Sequence, residues 1–203
     1  LIPLLLLVVA GTGIQAYYPS EGLKWFNLAL AVLTLFSLYF FRDPQRITPA
    51  KEGFLSPADG KIVQIIDVED EEIGSARQIS IFLSLFNIHS QRVPISGKVI
   101  SKQYNPGNFL IAFNHKASMD NENTVVLFET EKGKRYKIKQ IAGFIARRIL
   151  NYMEPGNMVQ RGQRLGFIRF GSRVDIILPR DFQIDVSLGE MVQGNKTIIG
   201  QFQ

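Results

Sequence analysis

No cysteine occurs in the 203 residues, which excludes disulfide bonds, thiolate catalysis and cysteine-ligated zinc. Histidine is almost absent too. His89 and His115 are the only two, too few for a multi-histidine centre, so no metal site is expected. Charge is missing from the opening segment, where residues 1–41 hold only Glu21 and Lys24, which cancel. The net charge of +5 therefore resides in residues 42–203, where it suits an anionic partner such as a phospholipid surface. Basic residues are nowhere interleaved with aromatics in a stripe, so nucleic acid is not an expected partner. Tandem repeats and low-complexity tracts are also lacking.

What the opening segment has is apolar length. Leu1 to Tyr18 is rich in Leu and Val, interrupted by Pro3, Gly11, Thr12, Gly13 and Gln15; Trp25 to Phe41 runs without a charge. A bilayer-spanning helix needs about 17–25 such residues, and the second stretch meets the lower bound. The connector Pro19-Ser20-Glu21-Gly22-Leu23-Lys24 reads as a turn. Tyr17, Tyr18, Trp25 and Tyr39 fall near the segment ends, as interfacial aromatics do. Arg42, Arg46 and Lys51 follow at once, which the positive-inside rule assigns to the cytoplasm. These features predict a membrane-anchoring hairpin over residues 1–41, with a second domain, 42–203, on the cytoplasmic side of the cell membrane. The competing reading is a pair of buried core helices.

From Arg42 onward the pattern changes to short apolar runs broken by Gly, Pro, Asn and Asp. Ile62 to Ile66, Ile79 to Leu83, Gly97 to Ile100, Thr124 to Phe128 and Val174 to Pro179 read as strands. Arg135 to Ile141 alternates basic with apolar, as a half-exposed strand does. Gly143 to Tyr152, with Ile145, Ile149 and Tyr152 at helical spacing, predicts one short helix ended by Pro155-Gly156, with Arg147 and Arg148 on its solvated face. The fold class is mostly β, a barrel-sandwich-like domain with a short helix, preceded by the helical hairpin. Ser56 to Val63 and Gly156 to Leu165 look like related corners of such a barrel. The second resembles the strand-turn pattern of lipoyl and biotinyl carrier domains, but the lysine hairpin those domains modify is missing.

Three residues carry candidate chemistry. Ser172 follows Gly171 in Phe170-Gly171-Ser172-Arg173-Val174-Asp175, at a corner leading into a strand. Glycine leaves the preceding carbonyl open to a hydroxyl, although a Gly-Ser pair by itself reads as a hairpin turn. Asp59 lies in the turn Ser56-Pro57-Ala58-Asp59-Gly60, where a carboxylate ordinarily accepts local backbone N–H groups. His89 follows an apolar strand in Phe86-Asn87-Ile88-His89-Ser90-Gln91-Arg92-Val93-Pro94. His115 sits in a polar loop and reads as solvated. An Asp/His/Ser set works by geometry rather than by sequence order, with the imidazole taking the serine proton and the carboxylate orienting the ring.

These stretches, together with Phe40-Phe41-Arg42-Asp43-Pro44, Lys116-Ala117-Ser118, Asn121-Glu122 and Ile145-Ala146-Arg147-Arg148-Ile149, occur in order along nearly the whole chain. In this the chain resembles the short prokaryotic branch of the phosphatidylserine decarboxylase family. The resemblance implies a proenzyme that cuts itself between Gly171 and Ser172, giving a β chain, 1–171, and an α chain, 172–203, capped by a pyruvoyl group made from Ser172. Asp59 and His89 would assist that maturation. The pyruvoyl carbonyl would form a Schiff base with the amine of phosphatidylserine, so that decarboxylation to phosphatidylethanolamine needs no external cofactor, and His89 would protonate the carbanion. Longer family members carry a second histidine where this chain has Arg92, so His89 alone would serve both steps. Asn123 stands where an arginine is usual. The partners implied are a phospholipid substrate, the membrane and the chain's own α and β pieces, and the reading leaves homo-oligomer formation open. Archaetidylserine is an alternative substrate. The alternative of another class is a non-catalytic, membrane-anchored lipoyl-like adaptor.

Overall fold

The computed structural model describes residues 2–108, 121–143, 148–169 and 172–203. It divides the chain into two compact units, Leu1–Arg42 and Asp43–Gln203. The first holds helices α1 (Ile2–Tyr17) and α2 (Glu21–Phe40). Gly11 lets them approach: Asn27 Nδ2 donates to its carbonyl at 2.9 Å, and a Cβ on residue 11 would lie 2.2 Å from Asn27 Oδ1. The connector is shorter than its composition suggests, because α2 already begins at Glu21. Ser20 takes the extended N-cap conformation, with φ −146° and ψ 133°, and Glu21 puts a carboxylate in the first turn, where the helix dipole favours it. Gly22, Leu23 and Lys24 are therefore helical, and Lys24 N–H donates to Ser20 O at 3.0 Å. Among the described residues α2 is the one helix long and apolar enough to cross a membrane, with 20 residues of mean hydropathy 1.5.

The second unit is built from strands. In chain order these are β1 (Phe54–Leu55), β2 (Gly60–Asp70), β3 (Gly74–Leu83), β4 (Ser90–Arg92), β5 (Gly97–Asn105), β6 (Asn123–Thr130), β7 (Arg135–Ala142), β8 (Ile149–Asn151), β9 (Met158–Val159), β10 (Arg164–Ile168), β11 (Ser172–Pro179), β12 (Gln183–Ile184), β13 (Met191–Val192) and β14 (Ile198–Gln201). Eight form one antiparallel sheet in the order β13-β2-β3-β11-β7-β6-β5-β9. Two three-stranded sheets, β4-β10-β8 and β1-β14-β12, accompany it. The fold is mostly β, as the short apolar runs predict. The expected short helix over 143–152 is not what residues 149–151 form: Ile149, Leu150 and Asn151 pair with Ile168, Phe167 and Gly166 as strand β8. The spacings of four and three residues from Ile145 through Ile149 to Tyr152 fit a helix only when no partner strand claims the backbone, and β10 claims residues 149–151 here. Residues 144–147, including Arg147, lie outside the described residues; Arg148 is exposed.

Strand alternation sorts the large sheet into two faces. Ile79, Ile81, Ile138, Val174, Ile176 and Leu178 lie on one face and join Val126, Phe128 and Phe54 in a single hydrophobic core. The opposite face carries Ser80, Lys137, Arg173 and Asp175, all buried. The sheet curls towards this polar face. Asp70 and Glu72, at the tip of the β2–β3 hairpin, each reach Lys137 Nζ on β7 at 2.7 Å. At the tip itself Asp70 Oδ1 accepts the N–H groups of Glu72 and Ile73, an Asx turn.

Candidate active site

Two connections join the small sheet β4-β10-β8 to the large sheet. In the large sheet β3 pairs with β11, and Leu83 is the register partner of Ser172. In the small sheet β4 pairs with β10, with Ser90 opposite Phe167. His89 stands at the β4 end of one crossing and Ser172 at the β11 end of the other. His89 O accepts the N–H of Ile168 at 3.3 Å, and Ser172 is four residues beyond Ile168. An extended chain spans at most about 3.6 Å per residue, so Ser172 lies within ~14 Å of that bond.

Ser172 is the first residue of β11, bracketed by Leu83 and Ala142, and has no exposed surface. It shares the core face with Val174. Its Oγ has no hydrogen-bond partner among the described residues. A buried hydroxyl left unsatisfied costs about 1–3 kcal/mol. Gly171, the other half of the expected scissile bond, lies outside the described residues, as do His115 and Lys116-Ala117-Ser118.

His89 is fully buried. Its Nδ1 lies 3.0 Å from Asn87 O. A carbonyl can only accept, so Nδ1 carries the hydrogen of this bond, and in the neutral ring the lone pair is on Nε2. The ring centroid is 6.3 Å from that of Phe167. Asn87 is fixed in turn, its Oδ1 accepting from both N–H and Oγ of Ser84 at 2.8 Å.

Asp59 occupies the predicted turn, but its partners are not local. Arg46 grips both carboxylate oxygens, Nη1 at 2.5 Å and Nη2 at 2.8 Å, and the N–H of Gly194 donates to Oδ1 at 2.8 Å. The bond to Asp59 raises the Arg46 guanidinium above its ordinary pKa against the opposing effect of burial. Lys61, Phe82 and Arg173 are consecutive register partners, so Asp59, two residues before Lys61, lies at the same end of the sheet as Ser172, about 10 Å away across two strands. All three predicted residues therefore gather at one end of the large sheet, although Asp59 bonds Arg46 and Gly194 rather than His89.

Several residues of this region were not singled out in the sequence. Arg46 stood out there only as a topology signal. Arg92, the residue at the second-histidine position, donates from Nη2 to Asp43 at 2.6 Å, and Asp43 also faces Arg164 at 3.4 Å. Next to Ser172, on the opposite face, Arg173 bonds Asp175 at 2.6 Å and Gln64 and Ser80 at 2.7 Å. Burial lowers the pKa of the neighbouring Lys139 ammonium, with Asp175 acting against that and Arg173 adding to it.

Known proteins are similar to this chain over most of its length. The family model described as phosphatidylserine decarboxylase matches residues 33–200. A phosphatidylserine decarboxylase proenzyme of Geotalea uraniireducens is 44% identical over 182 residues, covering 88% of this chain and 85% of the relative. Those of Syntrophotalea carbinolica (48% over 171 residues; 83% and 80% covered) and Nitrosomonas eutropha (43% over 198 residues; 96% and 92% covered) are similar.

Proposed function

Because the chain belongs to the phosphatidylserine decarboxylase family, we propose that it is a proenzyme that cuts itself between Gly171 and Ser172 and then converts phosphatidylserine to phosphatidylethanolamine. The observation that carries the reading is the state of Ser172: fully buried, at the head of a strand, with an Oγ that bonds nothing among the described residues.

In the proposed maturation His89 Nε2 removes the Ser172 proton as Oγ attacks the Gly171 carbonyl, and the peptide becomes an ester. Loss of the Ser172 α-proton expels the Gly171 carboxylate. Water then releases the nitrogen of residue 172 as ammonia and leaves a keto cap on the α chain. The buried setting of Ser172 fits this product, since it withholds bulk water from the carbonyl. A pyruvoyl group there supplies an electron-withdrawing carbonyl that accepts the electron pair released as CO₂ departs. His89, held through Nδ1, takes up at Nε2 the proton that the substrate ammonium loses and gives it to the substrate carbon. Asp59 acts by holding Arg46 and the 194 backbone, which fixes the turn that enters β2.

The substrate is a bilayer lipid, and α2 is the element suited to keep the protein at that bilayer. Arg42 and Lys51 favour the cytoplasmic side; Arg46 is engaged by Asp59.

Mass spectrometry tests the cleavage. Two fragments divided after Gly171, the smaller lacking a free amine, are expected; an intact chain from a folded preparation rejects the proposal and favours an adaptor. Borohydride with aminolipid should then trap an adduct on the 172–203 fragment. Parallel assays with phosphatidylserine and archaetidylserine identify the substrate.

A further inference from the structure

A single row of residues crosses the small sheet. Gly166 on β10 is register partner both to Gln91 on β4 and to Asn151 on β8. From the large sheet the side chain of Gln140 on β7 reaches into this row and bonds both flanking amides. Gln140 Nε2 donates to Gln91 Oε1 at 2.9 Å, and Asn151 Nδ2 donates to Gln140 Oε1 at 2.7 Å. The chain of bonds continues at each end. Met153 N–H donates to Asn151 Oδ1 at 2.9 Å, and Gln91 Nε2 donates to the carbonyl of His89 at 2.7 Å.

Every amide in this series accepts through its oxygen and donates through its nitrogen, so all three have one orientation. Gln91 and Gln140 have no exposed surface, where an amide that lost its partners would be costly. Gly166 keeps the path open, since a Cβ there would lie 2.6 Å from Gln140 Nε2 and 2.3 Å from Leu150 O. Gln140 is also near the other reacting group. It pairs with Val174, the neighbouring core-face residue to Ser172, whose own partner is Ala142.

We infer that Gln91 and Gln140 are positioning residues for the reaction, forming with Asn151 an amide bridge that sets the distance between His89 and Ser172. The bridge joins the backbone of His89 to the sheet that carries Ser172, across the place where the two sheets meet. The amides carry no proton. They fix where the imidazole stands when it moves one, and a shift of about 1 Å there is enough to cost on the order of 100-fold in rate. This inference rests on the proposed role of His89.

The test uses the full-length protein in detergent or lipid vesicles, with Gln140→Met and Gln91→Glu made separately. The first removes the amide at similar length; the second keeps its size and replaces the donating amide nitrogen with a carboxyl oxygen, so that a misfolded product of one substitution leaves the other to be read. Three quantities are measured: the rate of cleavage at residue 171, kcat and KM on matured enzyme, and the pH titration of the His89 ring by nitrogen-15 NMR, assigned with His89→Ala. Expected are a fall of tenfold or more in both cleavage rate and kcat, KM within twofold, and a displaced His89 titration in protein that remains folded. An unmoved His89 titration with unchanged kcat overturns the inference, as does a loss confined to KM or thermal stability. If wild-type protein neither cleaves nor decarboxylates, the proposed function fails, and the ring titration still decides whether the bridge positions His89.

Discussion

Arg46 and Asp59 form a two-pronged ion pair that ties the start of the second unit to the turn entering β2, 13 residues on. Their side chains keep only 15% and 12% of their surface. Removing one member of such a pair strands the other. Asp59→Leu should therefore destabilise the folded protein by roughly 3 kcal/mol, besides slowing cleavage. In the double variant Arg46→Met/Asp59→Leu, urea unfolding should show most of that stability restored, while gels show that cleavage stays slow. Equal recovery of both would reduce Asp59 to a structural residue.

Ser172→Ala should leave a single chain near 22.9 kDa without decarboxylase activity. Its thermal midpoint should be unchanged or higher than that of uncut wild type, because the lost hydroxyl bonds nothing among the described residues and its burial is unfavourable. A clear drop in midpoint would mean that the hydroxyl has a structural partner.

Arg173 and Asp175 lie on the polar face of β11 with 1% and 0% of their side-chain surface exposed. Asp175→Leu leaves a buried guanidinium without its counter-charge and should cost about 3–5 kcal/mol. Adding Arg173→Met should return most of that loss in denaturant titrations, since two apolar groups of similar volume replace the pair.

The hairpin tip should respond to pH through Lys137. Burial by itself would raise the Asp70 carboxyl, but the Lys137 hydrogen bond and the N–H groups of Glu72 and Ile73 outweigh it and hold its pKa below the ordinary value. Its stabilisation is present above about pH 4 and is lost as pH falls through the lowered value. Burial likewise opposes the Lys137 charge, yet the bonds to Asp70 and Glu72 raise its pKa above the ordinary one. That contribution is present below about pH 10 and disappears as pH climbs past the raised value. Lys137→Met should flatten both limbs of a stability–pH curve followed by urea midpoint; an unchanged acid limb would mean that the N–H groups of Glu72 and Ile73, rather than Lys137, hold the Asp70 pKa down.

Local patterning was enough to reveal the strands at Ile62 to Ile66 and Ile79 to Leu83, as short apolar runs between turn residues, and at Arg135 to Ile141, where alternating side chains report burial on one face. It misled at Ile149 to Asn151 and at Glu21 to Lys24. There the outcome depended on a partner strand in one case and on a helix that begins at Glu21, four residues before Trp25, in the other, and neither shows in composition. The residue types needed for the proposed chemistry, and their order along the chain, were written in the sequence: a serine after a glycine, a histidine after an apolar strand, an aspartate in a turn. Tertiary structure alone decided what those groups touch. Long-range pairing gave Asp59 to Arg46 and Gly194, seated Arg92 on Asp43, and ran Gln140 across Gly166 to the strand that follows His89. Such contacts join residues from 13 to 135 positions apart, and only closure of the sheets brings them within hydrogen-bonding range.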